Sequence, residues 1–176
     1  MEIRPKRCHG VGRFNADYFA HLEEIDLCWR LKRAGYKIMA VPQSVVYHVG
    51  GGTLDYLNPR KTYLNFRNSL YTIYKNSSRG KRRWLIPFRL ILDGLAAIHF
   101  LLEKKYDHIG AIAKAHCHFY RHLAKLRKKR RYFDEQVQRV SIAEEFNSAG
   151  LYGGSIVWQF FARKRRKFSD LPVEES

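Results

Sequence analysis

Acidic residues and cysteines are both scarce in this sequence. Its 176 residues contain 16 Asp and Glu against 33 Lys and Arg, which gives a formal net charge of +17. The electrostatic field of such a charge favours polyanionic partners, which include nucleic acids, anionic lipid headgroups and phosphorylated substrates. The three cysteines, Cys8, Cys28 and Cys117, are odd in number and have no paired spacing. This pattern argues against a disulfide framework and favours a reducing compartment.

The sequence also lacks a signal peptide, a low-complexity tract and an internal repeat. No apolar run follows the positive charge near Met1, so we expect the protein in the cytoplasm or on the cytoplasmic face of a membrane. The composition is globular, with 45% hydrophobic residues, and the length allows one modest domain and an appendage. Residues 1–13 hold scattered charge, Pro5 and two glycines, which predicts an irregular start.

Local patterns in the first half predict helices and strands in alternation. Apolar spacing predicts a helix over residues 23–34, and Gly35 follows where a C-terminal glycine cap is expected. Two runs rich in valine and aromatic residues, 36–41 and 45–49, predict strands separated by a proline break. A further amphipathic helix is predicted over residues 61–75.

The second half is basic and predicts helices that associate with a membrane. Residues 84–102 form an apolar run between basic flanks, about long enough to cross a bilayer. An interfacial or re-entrant helix, a true span and an ordinary buried helix all remain open for it. An amphipathic helix is predicted over residues 108–131, which ends in five consecutive cations, and aromatic residues in 152–161 precede a second basic run at 163–167. Apolar residues beside a polybasic cluster are typical of a peripheral membrane anchor.

Two groups of side chains could carry chemistry. Glu23, Glu24 and Asp26 fall at the start of the first predicted helix, where at about 100° per residue they cannot all bind one ion. One carboxylate could contact a substrate while another holds the local structure. Alternatively, all three could only stabilise the helix N-terminus through its dipole. His48 stands at a predicted strand end before three glycines, where it could bind a metal or a phosphate, or be purely structural.

The order and spacing of several segments resemble the second half of family 2 glycosyltransferases. These are inverting GT-A enzymes, and the rhamnosyltransferase-like branch is the most similar. The segments that carry the resemblance are 17–31, 34–38, 41–42, 46–48 and 58–68, and the match extends from Phe14 to about Asn76. The resemblance implies an α/β fold, with a partial GT-A (Rossmann-like) sheet-and-helix unit over 14–76. A basic, amphipathic, mostly α-helical membrane-associating region would follow over 77–176.

The resemblance also implies roles for particular residues. Glu24 maps onto the general base that takes the proton from the acceptor hydroxyl, and Asp26 onto a supporting catalytic residue at the helix start. Glu23 and Arg67 would contact substrate, Arg67 through the diphosphate. His48 would help hold a divalent cation, Mg²⁺ or Mn²⁺, or the departing diphosphate.

The sequence departs from the family pattern at two points. The family usually has Gly-Gly-Phe-Asp-Glu-Asp ahead of the acid pair, where this chain has Gly-Arg-Phe-Asn-Ala-Asp at residues 12–17. It also contains no Asp-x-Asp metal motif and no preceding alternation of strands and helices. We therefore expect a chain that begins partway through the enzyme, and an isolated chain that is inactive.

The expected function is transfer of a sugar from a nucleotide-sugar donor to a glycan or lipid-linked acceptor, in cell-surface polysaccharide or glycan synthesis. The expected location is the cytoplasmic face of a bacterial-type cell membrane, as a peripheral or re-entrant protein at an anionic membrane surface. An alternative function is a basic, non-catalytic module that binds anionic membrane or nucleic acid. Nucleic acid is the less favoured partner of the two.

Overall fold

The structure, a computed structural model, describes residues 10–39, 41–45, 47, 58–149, 152, 154, 156–167 and 170. Within these ranges the chain forms a short 3-10 helix, Ala16–Tyr18, and six α-helices. They are α1, Glu23–Arg33; α2, Pro59–Asn76; α3, Arg79–Leu102; α4, Tyr106–Arg121; α5, Leu123–Val140; and α6, Ile156–Phe161. Helix α2 contacts α1, α3, α4 and α5 and therefore forms the centre of a helical bundle.

The predicted α/β fold is wrong for the part of the chain that the structure describes. The described residues form no strand, so they provide no sheet for a partial GT-A unit. Of the two predicted strands, residues 36–39, 41–45 and 47 are described, and none of them is paired with a neighbouring strand. Valine and aromatic residues favour strands only where a partner strand bonds the backbone. Here Tyr36 and Ile38 pack their side chains against a cluster formed by helices instead.

The helix predicted over residues 23–34 is confirmed as α1. It carries three acids in its first turn and three basic residues in its last turn, an arrangement that suits the helix dipole. Gly35 has a φ of 86°, a left-handed conformation that glycine adopts without steric cost. Its N–H donates to the carbonyl of Lys32, and the N–H of Tyr36 donates to the carbonyl of Leu31, each at 3.0 Å. These two bonds form a Schellman motif, so the predicted glycine cap is also confirmed.

The helix predicted over residues 61–75 is confirmed as α2, which begins two residues earlier. Its N-terminus is capped by Asn58, whose side-chain oxygen accepts from the N–H of Arg60 at 2.8 Å, and Pro59 occupies the first helical position. Because α2 has neighbours on several sides, it buries polar as well as apolar residues. The buried residues are Thr62, Leu64, Arg67, Asn68, Leu70, Tyr71, Thr72, Lys75 and Asn76.

Two apolar clusters hold the bundle together. The first joins α1 to α5 and contains Val11, Leu27, Leu31, Ala34 and Val137. The second joins the 3-10 helix and α2 to α4 and α5, and contains Tyr18, Leu70, Tyr71, Phe119 and Leu126. Each cluster combines residues of the predicted 14–76 and 77–176 regions, so the two regions pack around common cores.

The single helix predicted over residues 108–131 is wrong, because the chain bends at His122 between α4 and α5. His122 has φ and ψ of −102° and 11°, outside the helical range. On either side of the bend, Phe119 and Leu126 are buried in the same apolar cluster. The apolar residues keep a spacing of about 3.6 residues on both sides of the bend, so the sequence pattern did not reveal the bend.

Candidate functional site

The three carboxylates in the first turn of α1 lie in different environments. Asp26 is fully buried, Glu23 is half-buried and Glu24 is exposed. One carboxylate oxygen of Glu23 is buried and has no hydrogen-bond partner among the described residues. Glu24, the predicted general base, is therefore accessible to an acceptor molecule, whereas Asp26 is not.

Asp26 lies at the centre of a buried polar network between α1 and α2. Its Oδ1 is 2.9 Å from Nζ of Lys75 and accepts hydrogen bonds from Asn76 Nδ2 at 2.7 Å and the Tyr18 hydroxyl at 3.2 Å. Its Oδ2 accepts from Nε and Nη2 of Arg30, at 3.2 and 3.1 Å. One carboxylate thus joins three segments of the chain through five contacts.

Burial and charge act in opposite directions on the pKa values of this network. Burial raises the pKa of Asp26, but Lys75 and Arg30 outweigh it and hold that pKa below its usual range. Burial lowers the pKa of Lys75 to about 8, even though Asp26 raises it. Burial also lowers the pKa of Arg30 against the opposing effect of Asp26. Two buried cations therefore depend on a single carboxylate.

Arg30 links this network to the residues that precede it in the chain. Its guanidinium donates to the carbonyl of Val11, and to the carbonyl of Arg13 at 2.6 Å. It also lies over the Phe133 ring, with Cζ 4.3 Å from the ring centroid. Arg30 therefore fixes the 11–13 segment against α1 and α5.

Arg67 and Asn68 of α2 hold the loop that leads into α1. Asn68 Nδ2 donates to the carbonyls of Tyr18, Ala20 and His21, at 3.1, 2.8 and 2.8 Å. Arg67 Nη2 donates to the carbonyl of Tyr18 at 3.0 Å and to that of Asp17 at 2.9 Å. Arg67 is itself buried, so its visible role is to bind backbone, and its predicted contact with a diphosphate stays a prediction.

Sequence reasoning missed Lys75 and Asn68 as organising residues. Both lie on one face of α2, because positions 64, 68, 71 and 75 are separated by three or four residues, and all four are buried. The available signal was therefore a lysine and an asparagine that continue the spacing of Leu64 and Tyr71. Helical periodicity is normally read from apolar residues alone. A buried helix face that includes polar residues, such as this one, is therefore not recognised.

The predicted metal ligand, His48, lies outside the described residues. In the ranges that the structure describes, no three or more His, Cys, Asp or Glu side chains are grouped as they would be around a metal ion. Glu23, Glu24 and Asp26 do not form such a group, because Asp26 binds two cations of the protein itself. The divalent cation therefore stays a prediction from the resemblance.

Helix α3 exposes an apolar face on the opposite side from its contacts with the bundle. It is long and apolar enough to cross a membrane, and only 6% of its most apolar 18-residue window is buried. The apolar side chains that are more than half exposed are Trp84, Phe88, Ile91, Leu95, Ile98, Leu101 and Leu102. They recur mostly at steps of three and four residues, so they form one continuous stripe.

The two charged residues inside the apolar run of α3, Arg89 and Asp93, face the bundle instead. They are four residues apart on the helix and form an ion pair, with Arg89 Nε 2.7 Å from Asp93 Oδ1. Asp93 is buried and its Oδ2 is 2.9 Å from Nε2 of His116 on α4. The two charged side chains inside the apolar run are therefore paired on the face of α3 that packs against α4. The exposed stripe on the other face contains only apolar side chains.

No family model, no curated protein and no solved structure matches this chain. The described residues thus provide an exposed carboxylate on a helix start that a buried ionic network fixes, and a separate helix, α3, with an exposed apolar stripe.

Proposed function

We propose that this chain forms the acceptor-side part of an inverting glycosyltransferase. The enzyme transfers a sugar from a nucleotide-sugar donor to an acceptor hydroxyl, in cell-surface polysaccharide or glycan synthesis at the cytoplasmic face of the membrane. The observation that carries the proposal is the exposed position of Glu24 in a helical turn that Asp26 anchors from within. The resemblance over residues 14–76 supports it independently, and the proposal does not require a GT-A sheet among the described residues.

In this mechanism Glu24 is the general base. Its carboxylate accepts the proton of the acceptor hydroxyl while that oxygen forms a bond to the anomeric carbon of the donor sugar. The bond from the anomeric carbon to the nucleoside diphosphate breaks at the same time, and its electron pair leaves with the diphosphate. Asp26 is a positioning residue, because it is buried and acts by fixing the turn that carries Glu24. A base held within a few tenths of an ångström is what such a displacement needs.

A divalent cation, Mg²⁺ or Mn²⁺, would stabilise the charge that develops on the departing diphosphate. His48, the proposed ligand, lies outside the described residues.

The test is the substitution Glu24→Gln, which keeps the size and polarity of the side chain. We expect transfer to fall by at least about 10²-fold, because a positioned base contributes about 10²–10⁴-fold. Binding of the nucleotide sugar should be nearly unchanged. Transfer would be measured in membranes from cells that express the natural gene or the variant. Glu135→Gln, an exposed change of equal charge on α5, is the matched control, and equal turnover in the two variants would remove Glu24 from the mechanism.

A second candidate function is binding to an anionic membrane as a non-catalytic module. The observation that favours it is the exposed apolar stripe of α3, which carries cations before its first apolar residue and after its last. Burying each apolar side chain contributes about 1.5–3 kcal/mol, and each cation near an anionic surface roughly 1 kcal/mol. The two terms together suit a helix that lies in the membrane interface.

The test of the second function is sedimentation with anionic vesicles, zwitterionic vesicles or RNA. Ile91→Glu combined with Leu95→Glu should weaken vesicle binding at least about tenfold, because about 1.4 kcal/mol is tenfold in affinity. Tyr120→Glu, an equally exposed position on α4, is the control and should leave binding unchanged. Charge reversal at the exposed cations among residues 127–131 should remove the preference for anionic vesicles. Salt-dependent binding to RNA in preference to vesicles would instead assign a nucleic-acid module.

A further inference from the structure

A cavity opens between α1, the junction of α2 with α3, and α5. Its volume is about 950 Å³, within the range of small-molecule sites. Ile25 and Trp29 of α1, Leu85 of α3 and Phe146 contribute its apolar lining. Asn76 belongs both to this lining and to the network around Asp26, but the mechanism proposed above does not use the cavity.

The rest of the lining is strongly basic. Five cations line the cavity, and they are Lys32, Arg33, Arg79, Lys81 and Arg130. No carboxylate is found among the described residues that line it. In a protein with 33 basic and 16 acidic residues, a concave surface with cations alone favours an anion over a neutral ligand.

The cations are crowded, and three of them have partners within the protein. Lys32 Nζ donates to the carbonyls of Asn147 and Ala149, at 3.3 and 2.6 Å. Arg130 Nη1 donates to the carbonyls of Tyr74 and Ser77, each at 2.7 Å, and both Arg130 and Arg33 form ion pairs with Asp134. Burial, and then the nearby Arg82 and Arg33, lower the pKa of Arg130. Asp134 thus pairs with two neighbouring guanidinium groups, and an anionic ligand would reduce the repulsion among the cations of the lining.

Two polar groups in the lining are buried without a partner. The hydroxyl of Ser77, a residue only 4% exposed, has no hydrogen-bond partner among the described residues, and neither has Nη1 of Arg33. A buried donor left unsatisfied costs about 1–3 kcal/mol, so such groups usually have a ligand or water to bind. Ser77 also precedes Ser78, the N-cap of α3, and the positive end of that helix dipole attracts anions.

The position of the cavity identifies the source of the anion. Leu85 lines the cavity, while Trp84, the preceding residue in the chain, begins the exposed apolar stripe of α3. A ligand with a phosphate at the N-terminus of α3 and an apolar chain beside it would satisfy both surfaces at once. We propose that this cavity binds the phosphate headgroup of an anionic membrane lipid, with part of its acyl chain against Ile25, Trp29 and Leu85.

The proposal is tested with a monomeric short-chain lipid, so that it does not depend on membrane insertion or on sugar transfer. Dihexanoyl phosphatidic acid is titrated into the full chain by calorimetry, beside dihexanoyl phosphatidylcholine and inorganic phosphate. We expect phosphatidic acid to bind at least about tenfold more tightly than either of the others, because only it joins a fully anionic phosphate to an apolar chain. Equal binding of phosphatidylcholine would overturn the assignment of an anion site. Equal binding of inorganic phosphate would overturn the assignment of a lipid.

Variants of α3 distinguish binding by the cations of the cavity from attraction by the overall positive charge of the protein. Arg79→Glu with Lys81→Glu should weaken binding of phosphatidic acid at least about tenfold, since charge-assisted hydrogen bonds contribute about 1.5–3 kcal/mol. Glutamate in the first turns of a helix suits its dipole, so folding is retained. Arg83→Glu, exposed on the same helix and outside the lining, should change binding less than about threefold. Equal effects at the cavity positions and at Arg83 would overturn the proposal.

Ser77→Ala gives a second, independent measure. If the Ser77 hydroxyl forms a hydrogen bond only with the ligand, removing the hydroxyl should leave the stability of the unliganded protein unchanged or slightly raised. The same substitution should weaken binding of phosphatidic acid about three- to tenfold. Unchanged affinity, or a loss of stability in the unliganded protein, would overturn the role of Ser77 as a ligand donor.

Discussion

Replacing Asp26 with asparagine removes the one negative charge that compensates Lys75 and Arg30 in the bundle interior. The side chains of all three residues are at most 1% exposed, so water cannot replace the lost carboxylate. Removing one partner of a buried ion pair costs about 3–5 kcal/mol. That is a large part of the ~5–15 kcal/mol by which domains are usually stable. For a chain of 176 residues, it corresponds to a fall in Tm of roughly 6–20 °C.

The partner substitution Lys75→Met should behave differently. Burial outweighs the attraction of Asp26 and lowers the pKa of Lys75 from 10.5 to about 8, so the charged form of Lys75 is less favoured in the folded protein than in the unfolded chain. Removing that charge leaves Asp26 paired with Arg30, so we expect Lys75→Met to cost less than about 1 kcal/mol. In the double variant the cost should be smaller than the sum of the single costs by about 1–3 kcal/mol.

The same network predicts how stability depends on pH. Between pH 8 and 10.5 the unfolded chain holds the Lys75 proton more tightly than the folded chain does. Stability of the natural protein should therefore rise through that window relative to Lys75→Met, with a slope of at most about 1.4 kcal/mol per pH unit. Asp26 has a lowered pKa when folded, so its contribution is complete above its unfolded pKa and is lost as the pH falls through the folded value.

The measurement is urea unfolding of the natural protein, the two single variants and the double variant, each followed by far-UV circular dichroism. The free energy of unfolding would be extrapolated to water at pH 7 and at pH 9. A cost below about 1 kcal/mol for Asp26→Asn, with additive effects in the double variant, would refute the inference that one carboxylate holds two buried cations.

Two further substitutions test the segments on either side of α1. Gly35→Ala should cost about 1–3 kcal/mol in urea unfolding, because the residue has a φ of 86° and the new Cβ would lie 2.7 Å from Cβ of Ala143; an unchanged midpoint would contradict the Schellman geometry. Asn68→Ala should cost about 2–4 kcal/mol and should expose residues 13–22 to limited proteolysis, because the carbonyls of Ala20 and His21 lose this donor and that of Tyr18 keeps only Arg67 as a side-chain donor. Stability and cleavage equal to those of the natural protein would show that the loop is held by other contacts.

Local chemistry explains which elements were predictable from the sequence. The bounds of α1 follow from acids at its start, cations at its end and Gly35 after it, and the start of α2 follows from Asn58 and Pro59. Each of these signals acts within a few residues of the chain, so no knowledge of the fold is needed. The pair of Arg89 and Asp93 was predictable for the same reason, because four residues separate them on one helix.

The strand predictions failed because a strand depends on a partner elsewhere in the chain. Valine-rich segments have a preference for half-buried, extended backbone. They form a strand only where a second strand is available to hydrogen-bond with their backbone groups. In the described part of this chain, α1 and α5 provide apolar side chains instead, and Tyr36 and Ile38 pack against them. The bend at His122 was missed because helical periodicity is the same on both sides of it.

The sequence by itself determined the ends of α1, the excess of positive charge and the identity of the carboxylates at the start of α1. Only the tertiary structure decided which of those carboxylates is buried and which is exposed. Burial arises from contacts between residues as distant as Asp26 and Lys75, which are 49 positions apart, and no local pattern records such a contact. The same holds for the cavity beside α3, since its cations come from three separate helices and meet only when the bundle forms.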